Sequence, residues 1–359
     1  MTGTLTSPAD LDLDSYRIRV EACLEAFLTG KIHAAQPYAL PAVQGLRTFL
    51  AASGKRIRPL LCACGWHAAG GGPEGAGLVT AGAALEMFHA FALIHDDVMD
   101  RSDVRRGRPT VHRGMATEFA RTHPHAEAEQ LGIGAAILIG DLAMTWSDEL
   151  LRSVGLSPDR LAAVFSLIDK MRTEVMYGQY LDLTGGARLE ASTRRPLTVI
   201  RYKTAKYTIE RPLQVGAALA GADRRLLDAL SAFAIPLGEA FQLRDDLLGI
   251  FGDPGETGKS RSDDLREGKH TVLVALTLAA ADKEQEADLR ATLGDRAITE
   301  DAAERAREIM TATGAAAGVE QMIEERYRQA LDALGAALLP EPVEHALRTI
   351  ARAAAWRNS

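Results

Sequence analysis

Apolar residues recur every three to four positions along almost the whole chain, and strict alternation of apolar and polar residues is rare. That spacing is the helical period, so helices rather than strands are expected throughout. Ala, Leu, Glu and Arg dominate the periodic stretches, and Gly or Pro falls mainly between them. The pattern predicts helices near 15–30, 38–53, 56–70, 75–101, 115–120, 131–154, 158–184, 192–204, 206–220, 223–251, 269–281, 284–294, 299–313, 315–337 and 341–356. Gly70-Gly71-Gly72-Pro73 and Arg121 to His125 read as connectors, and 252–268 as a longer charged loop. Residues 1–14, rich in Thr, Ser and Asp, read as a flexible leader, and 15–359 as one all-α domain, a large helical bundle around a cavity. No composition shift marks a linker and no fixed period marks a solenoid.

Composition narrows the function classes. With 359 residues, 47% of them hydrophobic, the chain has ample material for a core. Its net charge is −7 and no Lys/Arg block interleaved with aromatics occurs, which argues against a nucleic-acid partner. Cys23, Cys62 and Cys64 are an odd, sparse set without metal-ligand spacing, so buried thiols in a reducing cytoplasm are expected. No charged n-region with an apolar run opens the chain, so no secretory signal is expected. The most apolar windows, 78–94 and 131–144, are interrupted by Glu86, His89 or Asp141, and no membrane span is expected.

Two stretches break apolar helical runs with adjacent carboxylates: Leu93-Ile94-His95-Asp96-Asp97-Val98-Met99-Asp100 and Phe241-Gln242-Leu243-Arg244-Asp245-Asp246-Leu247-Leu248-Gly249. On a helix Asp96 and Asp100 lie one turn apart on one face, with Asp97 beside them. At ~6 Å and an effective dielectric of ~20, each like-charged pair costs on the order of 3 kcal/mol, which a divalent cation would reverse. Hard oxygen ligands favour Mg²⁺ or Mn²⁺ shared between carboxylates and substrate phosphates. Basic residues accompany the acids: Gly54-Lys55-Arg56-Ile57-Arg58-Pro59, Arg105-Arg106-Gly107, Lys203-Thr204, and Lys259 and Lys269 around the loop after the second stretch. Taken singly, each would be an ordinary solvated charge or surface ion pair; their joint spacing with the acids points to diphosphate. His89 precedes Asp96 by two helical turns and shares its face, although a lone His in an apolar helix is ordinarily a core residue.

The order of these segments resembles that of the trans-isoprenyl diphosphate synthases, the polyprenyl synthetase family, over roughly residues 40–355. The matching segments are Gly54 to Pro59, Asp96 to Asp100 with Arg105-Arg106-Gly107-Arg108-Pro109-Thr110, Gly178-Gln179-Tyr180-Leu181-Asp182-Leu183, Lys203-Thr204, Phe241-Gln242 through Asp246, and Gly258-Lys259. A lone DDxxD is weak evidence, whereas six segments in order are specific. The resemblance implies that Asp96, Asp97, Asp100 and Asp245, with Asp246 close by, hold Mg²⁺ ions, three per active site, that clamp an allylic diphosphate. It implies that Arg105, Lys203 and Lys259 neutralise the departing pyrophosphate, and that Lys55, Arg58, His89 and Arg106 bind isopentenyl diphosphate. Gln179, Asp182, Thr204 and Gln242 would wall the allylic chain, or alternatively serve as helix-packing hydrogen bonds; Lys269 completes the substrate-binding set. A homodimer is the family expectation.

One departure stands out: the second motif ends in Gly249 where the family usually has a third Asp, so metal binding there is expected to rest on Asp245, with Asp246 assisting. Product length should depend on how far the growing chain slides from the Asp face, at about one isoprene unit per helical turn. Ala92 leaves room one turn away; Phe91 and Phe88, each otherwise ordinary core, are the candidate stoppers. A bulky residue five positions before an uninterrupted DDxxD resembles synthases that stop at C20, with C15 the alternative. A class I terpene cyclase would share the DDxxD helix and the fold, but needs an Asn/Asp, Ser/Thr and Glu triad that the chain lacks. A non-catalytic subunit usually loses one or both Asp clusters, and both first-motif and leading second-motif carboxylates are intact here.

Overall fold

The computed structural model describes residues 11–52, 54–72, 75, 77–185, 189–253 and 261–356. Among them the chain is helical apart from one hairpin, β1 (Val104–Arg105) and β2 (Arg108–Pro109), so the all-α expectation holds. Gly258 and Lys259 lie outside the described residues. Contacts divide the chain into two compact units: residues 12–164 with 215–221, and residues 1–11 and 165–214 with 222–359.

The first unit holds α1 (Leu13–Ala34), α2 (Leu40–Ala51), α3 (Ile57–Ala68), α4 (Leu78–Asp100), the hairpin, α5 (Val111–Phe119) and α6 (His125–Arg152). Helix α4 is buried at every position from Ala81 to Phe91 and sits at the centre of the unit with α1, α3 and α6 packed round it. Small buried residues on α6, Gly132, Ala136, Gly140 and Ala143, let its neighbours come close. A methyl group at Gly140 would stand 2.3 Å from the His95 ring of α4. The end of α4 closes with Arg101 in the left-handed region (φ 55°), Ser102 N–H donating to Asp97 O (3.0 Å) and Arg101 N–H to Val98 O (3.3 Å). Arg106 and Gly107, both at positive φ, then make the two-residue turn whose twist suits a hairpin.

The second unit is organised on α10 (Arg224–Phe251), against which α15 (Ala315–Ala336) and a π-helical segment, Ile200–Glu210, pack. Before that segment come the larger part of α7 (Pro158–Leu183) and α8 (Arg194–Val199); after it begins α9 (Arg211–Ala220), whose residues from Val215 onward belong to the first unit. The remaining elements are α11 (Asp263–Glu267), α12 (Val272–Ala280), α13 (Lys283–Thr292), α14 (Glu300–Ala312) and α16 (Glu341–Ala355). Leu243, Leu247, Ile250, Leu265, Val272 and Val319 belong to one buried cluster that ties α10, α11, α12 and α15 together.

Three expectations are corrected. Helix α6 begins at His125 rather than 131, because Pro124 occupies its N-cap instead of ending a connector. Helix α5 begins at Val111 rather than 115. The two helices expected at 192–204 and 206–220 form one run, α8 to α9, through the π-helical segment, whose wider turns disturb the apolar period around Arg201–Lys206. Helices α4, α6 and α10 are long and apolar enough to cross a membrane by length and composition, and 72% of the relevant window of α4 is buried within the protein.

Candidate active site

In the first unit, the carboxylates of the first motif sit at the C-terminal end of α4, where exposed carbonyls already make the potential negative. Cations are therefore needed, and β1 supplies one. Arg105 Nε donates to both oxygens of Asp97 (2.8 and 2.9 Å), Nη2 lies 2.7 Å from Oδ1, and the same Nη2 reaches Asp96 Oδ2 at 3.5 Å. Burial works against the Arg105 charge, but Asp97, Asp96 and Asp100 more than offset it and raise its pKa. Asp97, 1% exposed, is thus the anchor of Arg105, while Asp96 and Asp100 are half-buried beside it.

A cationic wall forms from three separate stretches. Arg56 adopts the left-handed region (φ 47°) ahead of α3 and turns its side chain inward. Its Nη1 donates to Glu86 Oε1 (2.9 Å), Nη2 to Leu50 O (2.6 Å) and Nε to Glu21 Oε1 (3.4 Å). Arg56 and Glu86 are 7% and 3% exposed, so this buried pair clamps the junction between the loop that carries Lys55 and the first turn of α3 that carries Arg58. Sequence reasoning passed over both residues. The available signal was a glutamate inside the apolar α4 pattern, which in a core demands a cation. The Arg106 guanidinium lies against Gly54 and donates to Ala52 O (3.4 Å). His89 is buried on α4, and loss of water, then the charges of Arg58, Arg106, Arg105 and Arg56, hold its pKa well below the usual value. The same crowding lowers Arg106, burial first, with Glu86 opposing it. Arg56, Arg58, Arg105 and Arg106 thus share one electrostatic neighbourhood with His89.

Further along α4, Phe91 lies between Phe88 (ring centroids 5.2 Å apart) and His95 (4.7 Å, edge-on), with Ala92 half-buried beside it. His95 is fixed in turn through Nε2 on Ile137 O of α6 (3.0 Å).

In the second unit, the π-helical segment presents Lys203 and Thr204. Gly178 and Gly238 let neighbouring helices touch its backbone: methyl groups there would stand 2.5 Å from Lys203 N and 2.3 Å from Ala205 Cα. Lys203 Nζ donates to Asp182 Oδ2 (2.7 Å), one turn beyond half-buried Gln179 on α7. Thr204 Oγ1 donates to Gln242 Oε1 (2.7 Å), and Gln242 Nε2 donates to Asp246 Oδ1 (2.8 Å). This chain fixes the orientation of the Gln242 amide and holds Asp246 from behind. Asp246 is raised well above the ordinary carboxylate value, first by desolvation and then by Asp264 and Asp245, with Gln242 and Lys269 opposing. Asp245 is exposed. Lys269 Nζ sits 2.5 Å from Glu267 Oε2 and 3.7 Å from Asp264 Oδ1; neither acid was singled out from the sequence.

The donor set fits Mg²⁺. Among the described residues no three His, Cys, Asp or Glu side chains are already gathered as a metal cage. Asp96 and Asp100 in the first unit, and separately Asp245 in the second, offer hard carboxylate oxygens of the kind that bind Mg²⁺ together with phosphate.

An all-α fold with carboxylates near a helix end and guanidinia beside them has the charge pattern of an enzyme of diphosphate chemistry. Residues 43–310 match the model of the Polyprenyl synthetase family, and the chain belongs to that family of prenyltransferases. A geranylgeranyl diphosphate synthase of Sulfolobus acidocaldarius is 33% identical over 250 residues, covering 69% of this chain and 70% of its own. A geranylfarnesyl diphosphate synthase of Aeropyrum pernix is 33% identical over 267 residues, covering 74% and 77%. The crystal structure of a geranylgeranyl pyrophosphate synthase from Corynebacterium glutamicum, complexed with isoprenyl diphosphate and magnesium, superimposes with a TM-score of 0.92 at 40% identity, over 97% of this chain and all of that one.

Proposed function

We propose that the protein condenses isopentenyl diphosphate with an allylic diphosphate, dimethylallyl, geranyl or farnesyl, and releases all-trans geranylgeranyl diphosphate. The observation that carries the C20 product is Phe91, 8% exposed and braced between Phe88 and His95, five residues before Asp96 on the inner helix. A ring so held is a firm stop for a growing chain. The geranylgeranyl synthase from Corynebacterium and its relative from Sulfolobus support the same length.

In this proposal Asp96, Asp97, Asp100 and Asp245, with Asp246, hold Mg²⁺, three ions per site, with Mn²⁺ as a substitute. When bound, the metal supplies the positive charge that stabilises departing pyrophosphate. Arg105, Lys203 and Lys259 add fixed charge to that leaving group before it separates. Lys55, Arg58 and Arg106 hold isopentenyl diphosphate; His89, neutral near pH 7, joins them as a hydrogen-bond partner rather than a charge. Gln179, Thr204, Gln242 and Lys269 line the substrate, and the apolar wall keeps water from the cation. Residues 15–359 are taken as the catalytic domain of a cytoplasmic enzyme that spans no membrane. A homodimer is supported by Ile137 and Leu138 side by side on α6, both exposed.

The test is incubation of the purified protein with isopentenyl diphosphate, each allylic primer in turn and Mg²⁺, followed by sizing of the dephosphorylated products. C20 is expected from every primer; C15 or C25 would overturn the length, and a cyclised product from a single primer the reaction itself.

A further inference from the structure

Gly249 leaves the second acidic motif one carboxylate short, and the structure fills the gap from elsewhere in the chain. A methyl group at Gly249 would stand 1.9 Å from Oδ2 and 2.9 Å from Cγ of Asp264. The carboxylate of Asp264, carried by α11, therefore occupies the volume where a side chain at 249 would begin, one helical turn from Asp245 on α10. The placement is built in. Leu265, fully buried, pins α11 to the core, and its carbonyl accepts from Gly268 N (3.1 Å) and Gly294 N (2.8 Å). The other oxygen of Asp264, Oδ1, faces Lys269, which leaves Oδ2 as the one over Gly249.

We propose that Asp264 supplies the third carboxylate of the second acidic motif and that residue 249 is glycine to admit it. The motif is thereby completed across two helices, α10 and α11, instead of along one. The inference rests on the metal–diphosphate reading of the site, and it deepens that reading by naming a residue that no helical spacing could reveal. Loss of the Asp264 charge weakens the cation, and so does any side chain at 249 that pushes the carboxylate aside. Two predictions distinguish this from a merely structural aspartate. Gly249→Ala, which suits a helix better than glycine and keeps Asp264, impairs metal binding. The double variant Gly249→Asp/Asp264→Asn, which moves the carboxylate back onto α10, regains it.

The experiment is titration of the full-length protein with Mn²⁺ in the presence of inorganic pyrophosphate, followed by electron paramagnetic resonance, with thermal melting to establish folding. Affinity is expected to fall by about tenfold in Asp264→Asn, the size typical for groups supporting a metal site, and to fall in Gly249→Ala, with recovery in the double variant. Asp96→Asn serves as the reference. If Asp96→Asn binds Mn²⁺ more weakly while Asp264→Asn and Gly249→Ala match the parent, the inference fails and the metal reading stands. If Asp96→Asn also matches the parent, both fail. Should Asp264→Asn not fold, Gly249→Ala decides alone, since parental affinity in that variant overturns the inference.

Discussion

The guanidinium of Arg106 lies on the bare Cα of Gly54: a methyl group there would stand 2.9 Å from Nη1 and 3.2 Å from Cζ. Two motifs separated by half a hundred residues thus meet through a missing side chain. Gly54→Ala should push Arg106 out of the cationic wall without touching the acidic end of α4. The Michaelis constant for isopentenyl diphosphate is expected to rise about tenfold, roughly 1.4 kcal/mol of lost binding, with kcat reduced far less. Steady-state kinetics with each substrate varied in turn would refute this if the effect fell on the allylic substrate instead.

The Arg56–Glu86 pair should be a point of fragility. Both partners are buried, and removing one leaves the other charged and stranded, a loss of about 3 kcal/mol or more. Glu86→Gln, nearly the same shape, is expected to lower the urea midpoint by that equivalent. A midpoint unchanged within error would mean that Glu21 and the Leu50 carbonyl suffice for Arg56.

Acid should destabilise the first unit through His89. Its pKa in the fold lies well below 6.5, so the unfolded chain binds a proton that the native chain refuses. The stability that neutral His89 contributes is complete above about pH 6.5 and is lost as pH falls below it, at up to ~1.4 kcal/mol per pH unit. His67 and His112 are lowered in the same sense, chiefly by burial, and add to the slope. His89→Gln should flatten the fall in urea stability between pH 7 and pH 5.5; equal slopes in the two proteins would contradict the assignment.

Chain length should respond to Phe91 more than to Phe88. Phe91→Ala opens the volume nearest the acidic end of α4, and products of C25 or longer are expected on chromatography. Phe88→Ala alone, one turn deeper and fully buried, should cost about 3–5 kcal/mol of stability while leaving the C20 product dominant. Unchanged product from both variants would place the stop elsewhere.

The helices and the acidic and basic segments were legible because each is a local pattern: a 3.6-residue period, a DDxxD, a Gly-Lys-Arg run. What was not legible depends on partners distant in sequence. Arg56 looked like one more surface cation until its guanidinium was found on Glu86, and Glu86 like a flaw in an apolar window. Asp264 fell in a stretch expected to be loop, so nothing linked it to Gly249. The relay Thr204–Gln242–Asp246 joins two helices whose spacing in sequence carries no record of their contact. The π-helical segment was read as a break because its widened turns disturb the same apolar period that reveals ordinary helices.

The winding of Ile200–Glu210 makes its length matter. Because each residue turns an α-helix by about 100°, deleting one residue from the widened stretch should change the rotational register of its flanks and draw Thr204 away from Gln242. A change in residue count here should therefore disturb the Thr204–Gln242 bond more than a substitution at an exposed position of the same segment.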